Sequence, residues 1–161
     1  MTEEFIFYFG EESIFSHWYK CNFQIEAQDY CCVGQYMMYK KALLFGDDAI
    51  AQKIMNSTSP PRHRMLGKQI QGFDKKKWHE HCRTYSLEGN IAKFSQNPVL
   101  KEALLQSAGK IFAEASPYDR VWGIGLSLSN PKIYDRANWR GKNWAGESLE
   151  AARKELQISF P

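Results

Sequence analysis

The chain has 161 residues, of which 43% are hydrophobic and 24% charged, and its formal charge is +3. This length suits one compact domain with a sizeable core, so we expect residues 1–161 to form a single domain. The mild, dispersed charge is not typical of a nucleic-acid-binding domain, although the basic clusters at 62–64 and 75–77 suit either solvated helix surface or phosphate contact. No apolar stretch is long enough to span a bilayer and no secretion-signal pattern opens the chain, so we expect a cytoplasmic protein without membrane contact.

The spacing of cysteine and histidine predicts no metal site. Four cysteines occur without Cys-x-x-Cys spacing: Cys21, Cys31, Cys32 and Cys82. An adjacent pair such as Cys31-Cys32 is a poor framework for zinc or for a disulfide. His79 and His81 are two residues apart, which places them on different faces of a helix. We therefore expect reduced thiols, no metal and no cofactor.

Strand signals occur near the N-terminus. Residues 5–9 are aromatic-rich, residues 22–26 alternate apolar and polar side chains, and a turn near 27–29 precedes a third short run. These segments predict a small antiparallel sheet at the N-terminal end.

Helix signals dominate the rest of the chain. Helices are predicted from residue 33 to about 45, from Asp47 or Asp48 to 55, from 60 to about 70, from Asp74 onward with an irregular step at Gly89, and from 97–98 to near 109. A short strand at 111–115 and an amphipathic helix from about 145 to 156 complete the predicted elements.

The helix predicted from residue 33 carries the most informative pair. A seven-residue spacing places Gly34 and Lys41 on one face. Glycine within a helix costs about 1 kcal/mol relative to alanine, so Gly34 indicates either close packing against a neighbour or a functional side chain missing from a pocket wall. Lys41 lies among apolar residues, where a lysine either reaches toward water or stays desolvated with a lowered pKa that makes it nucleophilic.

Residues 116–143 are mostly loop, rich in glycine and aromatic residues. Connections of this length in a compact domain are usually functional or disordered, and the aromatic residues argue against disorder. The segment 116–125 suits close approach to a flat, polar ligand. The residues of this segment that we expect to approach the ligand are Tyr118, Asp119, Trp122, Gly123 and Gly125. Asp119 is equally typical of a turn cap.

An aromatic block at 15–18 precedes these elements. Ser16 and His17 offer hydrogen bonds, whereas Phe15 and Trp18 offer a stacking surface or, equally well, core packing.

The separated blocks resemble the NADAR or YbiA-like N-glycosidase family. The blocks are 15–18, 35–42, 44–47, 72–78, 89–94, 118–125 and 139–143, with Gly146 and Arg153. They follow one another over nearly the whole chain, which makes the resemblance specific. It implies a mostly helical α+β fold and cleavage of the bond between a ribose carbon and a base-like nitrogen.

Two branches of this family are known. One acts on phosphorylated amino-pyrimidine intermediates of riboflavin synthesis. The other removes ADP-ribose from guanine and is the antitoxin to DarT-type guanine ADP-ribosyltransferase toxins. The loop at 127–143 is more similar to the second branch, so we expect ADP-ribose or ADP-ribosylated guanosine or DNA as ligand and a DarT-type toxin as functional partner. A non-catalytic module that binds ADP-ribose is the rival hypothesis.

The resemblance locates the site, and the roles of its residues are our hypothesis. Catalysis is assigned to Lys41, as the nucleophile that forms a Schiff base, and to Asp119, which orients sugar or water. The family carries a glutamate where this chain has Gly34, so impaired hydrolysis is expected. The expected substrate-binding residues are Phe15, Ser16, Trp18, Trp78, Tyr118, Trp122, Gly123, Gly125 and Asn143.

Overall fold

The computed structural model describes residues 2–159. Its elements are β1 (Phe5–Tyr8), β2 (Phe23–Ile25), β3 (Gln28–Tyr30), α1 (Val33–Leu44), α2 (Asp48–Met55), α3 (Pro60–Gly67), α4 (Lys75–Gln96), α5 (Pro98–Gln106), β4 (Ile111–Glu114) and α6 (Trp144–Ser159). Two short 3₁₀ helices, Pro131–Tyr134 and Arg136–Asn138, lie in the long loop before α6. The mostly helical α+β fold is therefore confirmed.

Side-chain caps begin the helices close to the predicted residues. Asp47, rather than Asp48, accepts a hydrogen bond from the backbone N–H of Ile50 at the start of α2. Ser59 caps α3 in the same way, and Asp74 accepts from two backbone N–H groups at the start of α4. These bonds satisfy N–H groups that have no partner within the helix, which explains why local sequence located these helix starts.

The predicted irregular step at Gly89 is wrong, because α4 is one continuous helix. A Cβ added to Gly89 would lie 2.7 Å from Val33 Cγ1. The glycine therefore lets α1 and α4 approach closely and does not interrupt the helix. The ends of α3 and α5 fall about three residues before the predicted ends, at Gly67 and Gln106.

The predicted sheet is only partly correct. Strands β2 and β3 form an antiparallel hairpin with Phe23 opposite Tyr30. Strand β1 does not join them and pairs in parallel with β4, with Phe5 opposite Ile111. Alternation of residue types indicates a strand but not its partner, and here the partner lies more than a hundred residues away.

The core joins these elements around α4. A buried cluster of Phe94, Leu104, Phe112 and Leu149 connects α4, α5, β4 and α6, and α1 packs against α2, α3 and α4. Within residues 2–159 we find no helix with the length and apolar character needed to cross a membrane.

Candidate active site

The first turn of α1 lies beneath an aromatic ring. Gly34 is buried, and its backbone N–H donates a 2.7 Å hydrogen bond to the carbonyl of His17. A Cβ at this position would lie 2.2 Å from two ring carbons of Trp18. Close packing thus accounts for the glycine, and a glutamate here would require the Trp18 ring to move.

Trp18 also supports a cation at the surface. The guanidinium of Arg64 lies 4.8 Å from the centre of the Trp18 ring. Arg64 pairs with Glu11 at 2.7 Å, and both side chains are exposed. An arginine stacked on a tryptophan in this way is positioned to bind phosphate by exchanging one exposed carboxylate for another anion.

Lys41 lies two helical turns beyond Gly34, against aromatic rings. Its Nζ donates a 2.9 Å hydrogen bond to the carbonyl of Gly67 and lies 4.7 Å from the Phe73 ring centre and 5.4 Å from that of Trp78. The side chain is half-buried, and burial lowers the pKa of its amine. The structure thus brings Lys41 and Trp78 together, with the lysine desolvated.

Asp119 caps the turn that follows it. One carboxylate oxygen accepts hydrogen bonds from the backbone N–H groups of Val121 and Trp122, both at 2.9 Å. The turn-cap alternative is therefore correct as a structural role. Capping uses one of the two carboxylate oxygens of Asp119. Besides burial, the charge of the same carboxylate also raises the pKa of Glu114.

Glu114, at the end of β4, is a titratable residue that the sequence did not single out. Burial, followed by the nearby charge of Asp119, raises its pKa to about 7, while Arg64 acts in the opposite direction. Two neighbouring carboxyl groups of which one stays protonated near neutrality are a common arrangement for acid–base catalysis. The available sequence signal was a charged residue ending a buried strand beside the aromatic loop.

Helix α3 connects these parts of the site. Lys41 contacts Gly67, and Arg64, one turn earlier on α3, acts on Glu114. Residues three apart are separated by about 4.5 Å along a helix axis. Helix α3 therefore carries both the carbonyl that Lys41 contacts and an arginine whose charge acts on Glu114.

Trp122 lies beside this region in a cluster of rings. It makes edge contacts with His17, at 5.2 Å between ring centres, and with Trp144, at 5.8 Å. Nε2 of His17 is hydrogen-bonded to Ser86 at 2.7 Å. Burial, and then the charge of Lys93, lowers the pKa of His17 to about 3, so this histidine is neutral at physiological pH and acts in packing.

Phe15 and Ser16, which the sequence predicts to contact the ligand, make contacts with other residues of the protein. Phe15 packs on Phe112 in the core, with ring centres 4.7 Å apart. Ser16 is buried, and its hydroxyl accepts a hydrogen bond from the backbone N–H of Trp18. These residues hold the position of Trp18.

The glycines and Asn143 hold the loop together. A Cβ on Gly123 would lie 2.9 Å from the carbonyl of Asp119, and Gly125 has a φ of +74°. The Asn143 amide donates to the Phe112 carbonyl and accepts from the Glu114 N–H. The side chain of Tyr118 is exposed to solvent.

The matched family model carries the description NADAR domain and covers residues 6–157. The chain belongs to the NADAR family. It is 37% identical to N-glycosidase R617 of Acanthamoeba polyphaga mimivirus, over 97% of this chain and 98% of that protein. It is 33% identical to protein irg-1 of Caenorhabditis elegans, over 96% and 81% of the two chains. The fold matches the NMR structure of the E. coli protein YbiA with a TM-score of 0.80 at 22% identity, over 99% of this chain and 88% of that one.

Proposed function

We propose that this protein is an N-glycosidase that removes ADP-ribose from ADP-ribosylated guanine in nucleic acid. A similar protein named N-glycosidase matches the chain over nearly its full length, which supports the reaction class. The observation that carries the proposal is the desolvated amine of Lys41 beside Trp78 and Phe73, because a lysine of lowered pKa next to aromatic surface suits covalent attack on a sugar bound to a base.

In the proposed first step, the neutral Lys41 amine attacks the anomeric carbon. The carbon–nitrogen bond to guanine breaks, and the departing guanine nitrogen takes a proton from a carboxylic acid. One proton then passes from the lysine nitrogen to the ring oxygen as the ribose ring opens, which gives a protonated Schiff base. Water then adds to the imine carbon, and the lysine leaves as the free amine with release of ADP-ribose. Asp119 orients the sugar or this water.

Glu114 is the proposed acid for the leaving guanine. Its pKa of about 7 keeps a large share of the carboxyl protonated at neutral pH, as a proton donor requires. This assignment supplies the carboxyl group that Gly34 does not offer. We expect slower turnover than in a relative that has a glutamate on α1.

The choice of ADP-ribosylated guanine depends on charge and aromatic surface. Arg64 is exposed on Trp18 and is a donor for a diphosphate, as are the exposed Arg140 and Lys142 near the end of the aromatic loop of residues 116–143. Three cationic side chains together with aromatic surface are more than one phosphorylated pyrimidine needs for binding. Action as antitoxin to a DarT-type guanine ADP-ribosyltransferase follows from this substrate.

The test is borohydride trapping during turnover. The protein is incubated with an ADP-ribosylated guanine oligonucleotide, released ADP-ribose is measured by chromatography, and modified lysines are located by mass spectrometry. Lys41→Arg should abolish release and adduct. Lys40→Arg is the matched control, since Lys40 is the adjacent lysine on the same helix and lies over Tyr85; it should retain both.

Each result discriminates between the alternatives. Release without an adduct, retained in Lys41→Arg, contradicts the covalent route and leaves direct attack by water. Faster cleavage of a riboflavin-synthesis intermediate assigns the protein to the metabolic branch. Tight binding of ADP-ribose with no release from either substrate identifies a non-catalytic module.

A further inference from the structure

A cluster of soft ligands lies where the β2–β3 hairpin meets α1. The thiols of Cys31 and Cys32 and a ring nitrogen of His63 all lie within 4.8 Å of one another. Cys32 and His63 are fully buried, whereas Cys31 is partly exposed and gives access from solvent. The residues come from the start of α1 and from α3, so sequence spacing does not indicate the cluster.

His63 presents the nitrogen that a metal requires. Its Nε2 lies 2.7 Å from the carbonyl of Ser57, which only accepts hydrogen bonds, so Nε2 carries the proton. Nδ1 therefore carries a lone pair, which accepts a 3.7 Å hydrogen bond from the Cys32 thiol and would become available to a metal when that thiol loses its proton. Metal-binding histidines typically donate their other ring N–H to a backbone carbonyl in this way.

The separation between Cys32 and His63 suits a tetrahedral ion. Metal bonds of about 2.3 Å to sulfur and 2.0–2.1 Å to nitrogen, at the tetrahedral angle, separate the two ligand atoms by about 3.6 Å. The observed separation between Cys32 Sγ and His63 Nδ1 is 3.7 Å. An ion would therefore fit between these two atoms with little rearrangement.

Gln35 holds the cluster in place. Its side-chain oxygen accepts from the N–H of Cys31, and its side-chain amide donates to the carbonyl of Ser57, the same carbonyl that His63 contacts. Its backbone N–H donates to Cys32 Sγ at 3.3 Å, which stabilises a thiolate at that position. One side chain thus fixes the backbone on both sides of the ligands.

Metal binding requires both thiols to lose their protons. The neighbouring Cys31 thiol and burial raise the pKa of Cys32, so the ion has to displace that proton, whereas the charge of Lys20 favours ionised Cys31. The charge of Lys93 interacts with Cys21 and Cys32, and its amine donates hydrogen bonds to the carbonyls of Ile14 and Ser16. Two thiolates would balance the charge of one divalent cation.

We propose that Cys31, Cys32 and His63 form a binding site for a thiophilic divalent cation of the zinc class. Binding releases the thiol protons, forms two metal–sulfur bonds and one metal–nitrogen bond, and leaves a fourth position for water or the neighbouring Cys21. The ion would join the start of α1, the helix that carries Lys41, to α3, whose Gly67 carbonyl that lysine contacts.

Cobalt(II) is the probe, because its thiolate complexes absorb visible light. The reduced full-length protein, freed of metal with a chelator, is titrated with Co²⁺ and then with Zn²⁺. We expect one equivalent of Co²⁺ with thiolate-to-cobalt absorption, loss of that absorption on adding Zn²⁺, and a higher melting temperature with Zn²⁺. Cys31→Ser should weaken binding at least about 100-fold.

Two further variants guard against misfolding as an explanation. Cys32→Ser keeps an oxygen that can cap α1 and should lose binding while keeping its circular dichroism spectrum. Cys82→Ser removes a buried thiol of α4 outside the cluster and should bind like the unmodified protein. Equal cobalt absorption in the unmodified protein, Cys31→Ser and Cys32→Ser, or none in any of them, overturns the proposal.

Discussion

Replacing Gly34 with alanine should change the free energy of unfolding in opposite directions depending on the residue at position 18. In the native background the new Cβ would lie 2.2 Å from two carbons of the Trp18 ring, whereas carbon atoms in contact are separated by about 3.5–4.0 Å. The ring must therefore move by more than about 1 Å. Overpacking of this kind costs about 1–3 kcal/mol, and the better helix propensity of alanine returns up to about 1 kcal/mol.

The expected net effect of Gly34→Ala is a loss of up to about 2 kcal/mol. For a chain of this size that corresponds to a fall in melting temperature of up to about 8 °C. In a Trp18→Ala background the ring is absent, so only the gain in helix propensity remains and the same substitution should stabilise by up to about 1 kcal/mol.

Urea unfolding of the four proteins in this cycle measures the coupling between the two positions. We expect a coupling free energy of about 1–3 kcal/mol with a change of sign between backgrounds. If alanine at position 34 has the same effect in both backgrounds to within about 0.5 kcal/mol, Trp18 is not what requires the glycine. The explanation of Gly34 by close packing then fails.

Three further predictions concern stability. The raised pKa of Glu114 means that the folded protein keeps a proton that the unfolded chain releases between pH 4.5 and about 7, so stability falls as pH rises through this window. Glu114→Gln should match the native protein below pH 4.5 and be more stable above pH 7; a difference in unfolding free energy that does not vary with pH contradicts this. Asn143→Ala leaves the Phe112 carbonyl and the Glu114 N–H without their partner and should cost about 2–4 kcal/mol in urea unfolding, so a cost below about 1 kcal/mol argues against that role. Ser86→Ala leaves Nε2 of buried His17 without its bond and should cost about 1–3 kcal/mol in the same assay, whereas an unchanged midpoint means that the bond contributes nothing.

Local sequence determined where several helices begin and which family the chain belongs to. The helix-capping bonds of Asp47, Ser59 and Asp74 go to backbone N–H groups no more than three residues away, so the local pattern and the structural contact involve the same few atoms. The ordered blocks that resembled NADAR proteins lie within the matched residues 6–157. The seven-residue spacing on α1 also placed Lys41 correctly in a helix.

Only the tertiary structure decided which distant groups meet. It paired β1 with β4, placed the Trp18 ring over Gly34, and buried Glu114 beside Asp119. It also brought His63 to Cys32, although the sequence had indicated no metal site. These contacts depend on how helices and strands pack across tens of residues, and one sequence records propensity and periodicity along the chain but not the partner across a packed interface.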